Sequence, residues 1–135
     1  MFRIASAGLA GAVLLSLATG AMAAAGIDGR WRAETIAAKP VAKNIASEIE
    51  IAADGKVAGT GGCNRLVSQA MIKGSALKFG PVAGTMMMCD DAKMAQERAF
   101  HDALGATAAF RLESGGKTLV LLDAAGKAVA ELARE

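Results

Sequence analysis

The feature that most constrains this chain is a period-two alternation of apolar and polar residues, restarted again and again after short glycine-containing turns. Residues 29–36 (GRWRAETI) alternate around Trp31. Residues 45–51 (IASEIEI) put Ile45, Ile49 and Ile51 on one face and Glu48 and Glu50 on the other, the signature of a strand with one dry and one wet side. Ala53-Asp54-Gly55 supplies a turn, and residues 56–60 return as the hairpin partner. Residues 65–72 and 76–79 form a second expected hairpin around Lys73-Gly74-Ser75, stopped by Gly80-Pro81. A further strand is expected over 85–89, then two more over 108–113 and 117–123, joined at Ser114-Gly115-Gly116, and a last one over 128–132.

A single helix interrupts this series. Asp90 or Asp91 can cap a helix running to about Leu104, with Gly105 placed where a left-handed residue closes a helix. Ala92, Ala95, Ala99, Phe100, Ala103 and Leu104 make its apolar stripe, while Lys93, Glu97, Arg98 and Asp102 lie largely off it. Short strands, tight turns and one packed helix indicate an α+β fold: a small antiparallel, barrel-like (cracked-barrel) sheet of about eight strands with one packed α-helix.

The first 23 residues read as a secretory signal peptide, with a basic start at Arg3, an apolar run and a small-residue end at Ala21-Met22-Ala23. No cysteine stands near this end to carry a lipid. Cleavage would remove 23 of 135 residues and leave 112, enough for one domain with a buried core, spanning 24–135. The expected mature product is a periplasmic or secreted monomer without a membrane span. Loss of Arg3 leaves 14 basic against 13 acidic residues, and like charges nowhere cluster. Nucleic acid and anionic lipid are therefore not expected partners.

The stretch GTGGCNRL, Gly59 to Leu66, is the densest functional candidate. As a phosphate loop it lacks the G-x-G-x-x-G spacing and a following helix; a tight corner, with Asn64 left-handed or bonded to nearby backbone, accounts for it better. Cys63 and Cys89 are the only two cysteines, and export would carry both to an oxidising compartment, where a disulfide is the default. A catalytic redox pair lacks its C-x-x-C spacing. Met86-Met87-Met88, next to Cys89, suggests soft-metal chemistry such as Cu(I), against the plainer expectation that these methionines fill the core beneath the helix. His101 is the only histidine, on an exposed-looking helical position, and no nucleophile motif accompanies it. Glu48 and Glu50 read as a solvated strand face. No enzymatic activity and no cofactor or metal is expected.

Four spaced motifs resemble one family. G-x-G-G-C-N-R (Gly59, Gly61, Gly62, Cys63, Asn64, Arg65), L-x-F-G-P (Leu77 to Pro81), T-x-M-x-C (Thr85, Met87, Cys89) and E-x-x-F-x-x-x-L (Glu97, Phe100, Leu104) are similar to the META domain of HslJ-like heat-shock proteins. The tail TLVLLDAAGKAVAEL is similar to the family's closing hairpin. The resemblance covers nearly all of the chain after the signal segment. This chain departs from the pattern in its alanine-rich helix, in Val67 to Ala70 where an aromatic is frequent, and in lacking a lipoprotein cysteine. The resemblance implies a structural role for those motif residues, an envelope location and an association with heat shock and envelope stress, without an established enzymatic activity. It also implies likeness to small cracked barrels that hold lipid or a partner's tail, so an envelope protein or apolar ligand is the expected partner.

Overall fold

The computed structural model describes Gly8, Gly11, Ala12 and residues 26–135. The signal peptide expected over 1–23 thus lies, those three residues apart, outside the described residues. The strands are β1 (Gly29–Ile36), β2 (Lys39–Pro40), β3 (Glu48–Ile51), β4 (Lys56–Thr60), β5 (Arg65–Lys73), β6 (Ala76–Phe79), β7 (Ala83–Gly84), β8 (Ala109–Glu113), β9 (Thr118–Leu122) and β10 (Ala128–Arg134). One helix, α1 (Asp91–Ala106), separates β7 from β8. All pairings are antiparallel, in the order β10-β9-β8-β6-β5-β4-β3-β1-β2, and β10 also pairs with β1, so the hydrogen bonds form a ring. Two-residue β2 and β7 sit outside it, on β1 and β5, which leaves eight strands in the ring.

The ring is cracked between β6 and β8. Only Ala76 and Ala109 face each other in register there, with Leu77 N donating to Ala108 O at 3.1 Å and Phe110 N to Ser75 O at 3.0 Å. At the opposite join, β1 and β10 run together from Trp31–Arg134 to Ile36–Ala130 around a bulge between Ala33 and Thr35. Arg134 reinforces that closure. Its guanidinium lies 4.2 Å from the centroid of the Trp31 ring and donates to the carbonyls of Gly116, Asp28 and Gly26, so the last strand holds the start of the first.

The interior is filled. Ile49 and Ile51, inward by alternation, meet Trp31, Val57, Leu66, Leu77, Leu119, Leu121 and Leu132 in one cluster, closed by Phe100, Ala103 and Leu104 of α1. Trp31 satisfies its indole N–H on Ile27 O at 2.8 Å, as a buried indole must.

Four local expectations fail, each for a physical reason. Residues 85–89 are not a strand: Thr85 N still donates to Arg65 O of β5, but beyond it the backbone leaves that edge, and Met87 N donates instead to the Asn64 side chain. The helix does not end at Gly105 but at Thr107, whose hydroxyl bonds Ala103 O and whose N–H bonds Leu104 O, satisfying carbonyls that a left-handed glycine would otherwise serve. Ala92 and Ala95 are exposed, and Glu97 is buried with Phe100, Ala103 and Leu104. The methionines do not fill the core: Met86, Met87 and Met88 are 93%, 55% and 86% exposed.

Candidate functional site

The site is built where three segments meet: the glycine corner between β4 and β5, the first two turns of α1, and the loop before the helix. Asp90 starts the helix by accepting from Lys93 N at 2.9 Å, and a disulfide joins Cys63 to Cys89, with the Cα atoms 6.0 Å apart. The expected pairing is therefore present. It ties the corner to the segment entering α1.

Glu97 is the centre of the arrangement. One carboxylate oxygen accepts from the backbone N–H of Cys63 (3.1 Å) and of Asn64 (2.6 Å), and the other accepts from Asn64 Nδ2 (2.8 Å). Burial raises the Glu97 pKa, but the Asn64 side chain and the two backbone N–H groups outweigh it, with a smaller contribution from His101, and the carboxyl is held below its ordinary value. Asn64 passes the link onward. Its Oδ1 accepts from Met87 N (2.6 Å) and Thr85 Oγ1 (2.9 Å), and its Nδ2 also donates to Met87 O (3.2 Å). The amide thus has one workable orientation, and Met87 is held through its backbone while its side chain stays free.

Glycines make this approach possible. A Cβ on Gly61 would stand 2.6 Å from Glu97 Cγ and 3.0 Å from His101 Nε2, and Gly62 adopts φ +142°, a region that disfavours side chains. Ser47 and Gln96 complete the junction: Ser47 Oγ donates to Gly61 O (2.6 Å), and Gln96 Nε2 donates to Ser47 Oγ (2.9 Å) and Ile45 O (3.1 Å). Sequence reasoning missed both. The available signal was a serine at an inward position between Ile45 and Ile49, where alternation calls for an apolar residue.

The remaining motif residues fall into place around this junction. Arg65 N donates to Thr85 Oγ1 (3.1 Å) and Arg65 O accepts from Thr85 N (3.1 Å). Gly59 pairs with Ile49 and Leu66, and a side chain there would collide with β3 backbone. Phe100 and Leu104 anchor α1 in the core. His101 is half-buried rather than exposed, and its Nε2 is buried without a hydrogen-bond partner among the described residues.

Outside the junction, a groove of about 530 Å³ is lined by Asn64, Arg65, Val82, Ala83, Gly84, Thr85, Met86, Met87, Met88, Met94 and His101. A smaller recess of about 270 Å³ lies on the wet face of the sheet, where Glu48 and Glu50 share the wall with Arg30, Arg65 and Glu135. The methionine groove is the better candidate site, because its walls combine exposed thioethers with a backbone fixed from behind. Chemically, Glu97 and Asn64 are committed to structural bonds, and both cysteines are spent in the disulfide.

Among the described residues, an antiparallel ring carrying one helix, stapled at a glycine corner, defines a small α+β domain with a hydrogen-bonded polar centre at Glu97 and Asn64. The chain belongs to the META domain family, whose model matches residues 23–135. Two solved structures are similar in fold. One, an NMR structure of a protein from Burkholderia xenovorans, has a TM-score of 0.63 at 20% identity, covering 80% of this chain and 82% of that one. A second NMR structure has a TM-score of 0.61 at 21% identity, covering 78% and 88%. No curated protein matches the chain.

Proposed function

We propose that this META-domain protein is an exported, non-enzymatic binding module of the cell envelope, associated with stress, that presents Met86, Met87 and Met88 to an apolar polypeptide segment of a partner. One observation carries the reading: three consecutive methionines are exposed at 93%, 55% and 86% on a loop anchored by the disulfide and by both backbone groups of Met87. Unbranched thioether side chains adapt to irregular apolar surfaces, and a fixed backbone lowers the ordering cost of binding. The disulfide supports export, since such bonds persist in oxidising compartments.

The family's likeness to carriers suggests an apolar ligand inside the ring, but the packed interior favours the external groove. A copper site using Met and Cys would need thiolates, and the Cys63–Cys89 bond removes both. The test is a fluorescence titration of the mature, disulfide-intact protein with a labelled, leucine-rich amphipathic peptide. Saturable binding that is lost in the M86S/M87S/M88S variant supports the module. Equal binding by that variant, or turnover of a substrate by the purified protein, would overturn it.

A further inference from the structure

We propose that Met86 and Met88 are an oxidant-responsive modification site, converted by hydrogen peroxide to methionine sulfoxides; the consequence for docking rests on the reading above, whereas the site itself rests on exposure and anchoring. Thiolates are ordinarily the faster targets, but the chain has only Cys63 and Cys89, already joined to each other. The thioethers are therefore next in line. Met86 and Met88, at 93% and 86%, are far more open than Met71 and Met87, at 54% and 55%, and Met94 is only half-exposed on α1.

The chemistry is a two-electron oxygen transfer. A sulfur lone pair attacks one peroxide oxygen, the O–O bond breaks, the sulfide becomes a sulfoxide, and the second oxygen leaves as water after proton transfer. No further reactant is needed. The product is polar where the sulfide was apolar, so the face offered to a partner changes character.

Anchoring decides what else changes. The loop is held by the disulfide, by the Thr85 hydroxyl on Asn64 and by the Met87 backbone on the same amide, and none of these bonds uses a methionine sulfur. Oxidation of Met86 and Met88 should therefore alter the surface and leave the fold standing. Oxidation of a core methionine would instead melt the domain.

The experiment treats the mature, disulfide-intact protein with limiting hydrogen peroxide, quenches at intervals, and maps sulfoxide at each methionine by tandem mass spectrometry. Binding of the labelled amphipathic peptide and thermal melting are followed on the same samples. The expected result is sulfoxide at Met86 and Met88 several-fold faster than at Met71 and Met94, an unchanged melting temperature, and several-fold weaker peptide binding that methionine sulfoxide reductase restores. In M86L/M88L, whatever binding remains should no longer respond to peroxide, while M71L should respond as the parent does. Oxidation of Met71 or Met94 at the rate of Met86, or a melting transition lost with the first sulfoxides, would overturn the site. Failure of the unoxidised protein to bind the peptide would sink the docking reading and the switch with it, while the mapping still decides the site of oxidation.

Discussion

Glu97→Gln is the smallest change that separates the charge of the buried junction from its shape. The amide oxygen can still accept from Cys63 N and Asn64 N, but the amide nitrogen then meets Asn64 Nδ2, donor against donor, where a 2.8 Å bond stood. Turning Asn64 over does not help, because its Oδ1 already accepts from Met87 N and Thr85 Oγ1, and a flip would set its NH2 against the Met87 N–H. Hydrogen bonds to a charged group contribute about 1.5–3 kcal/mol and neutral ones about 1. Losing one charged bond and reducing two to neutral strength should therefore cost about 3 kcal/mol. That is a large share of a small domain's stability, about 5–15 kcal/mol.

The assay is urea unfolding of the oxidised protein, followed by the fluorescence of Trp31, the only tryptophan. With a slope of about 1–1.5 kcal/mol per molar urea, the midpoint should fall by about 2–3 M at neutral pH. The pH dependence supplies a second criterion. The folded Glu97 pKa lies below its ordinary value, so its stabilisation is fully present above the unfolded carboxyl pKa, about 4.3, and fades as pH falls through the lower folded value. The gap between parent and variant should narrow across that acid range. A gap under about 1 kcal/mol at neutral pH, or one that stays constant into acid, would refute a charged, buried Glu97 as the centre of the junction.

Four further outcomes are expected. Replacing Cys63 and Cys89 together by serine releases a cross-link of sequence separation 26 and should cost about 3.5 kcal/mol by loop entropy, read by urea unfolding against the parent. Ala37 and Ala38 turn β1 into β2 with φ of 51° and 63°, so A37N/A38G should stabilise by about 1–2 kcal/mol and raise the melting temperature. Gly61→Ala would press on Glu97 Cγ and His101 Nε2 and should cost about 1–3 kcal/mol, read by calorimetry. Arg134→Ala removes three carbonyl partners and the contact with Trp31; because the site is exposed, about 1–2 kcal/mol is expected, with faster hydrogen exchange in β1 and β10.

The strands were legible because each face of a half-buried sheet leaves a local trace: Ile49 and Ile51 inward, Glu48 and Glu50 outward, and Asp54-Gly55 at the turn. A closed, barrel-like sheet was legible as a class from the many short strands and tight turns, but which strands close it was not: the β1–β10 pairing joins residues about as far apart as the domain allows, and a long-range ladder adds no pattern beyond the one each strand already carries. The position of α1 is legible from its cap and spacing, whereas its buried face includes Glu97, against the outward tendency of a charged side chain. Glu97 stands three residues before Phe100 and seven before Leu104, on one face at 3.6 residues per turn, and that spacing alone would have turned it inward.

The methionines stand outside although their apolar character points inward, because apolar character implies burial only in one direction. What sets Met86 to Met88 outside is not their own chemistry but that of Asn64. Its amide engages the Met87 backbone on both sides, fixing the loop across the corner and leaving the three side chains no route into a core already filled by Trp31, Phe100 and the leucines. The buried carboxylate and the exposed thioethers are therefore one device. Glu97 fixes Asn64, Asn64 fixes Met87, and the disulfide fixes the end of the loop, so polar groups confined to the interior determine which apolar groups meet the solvent.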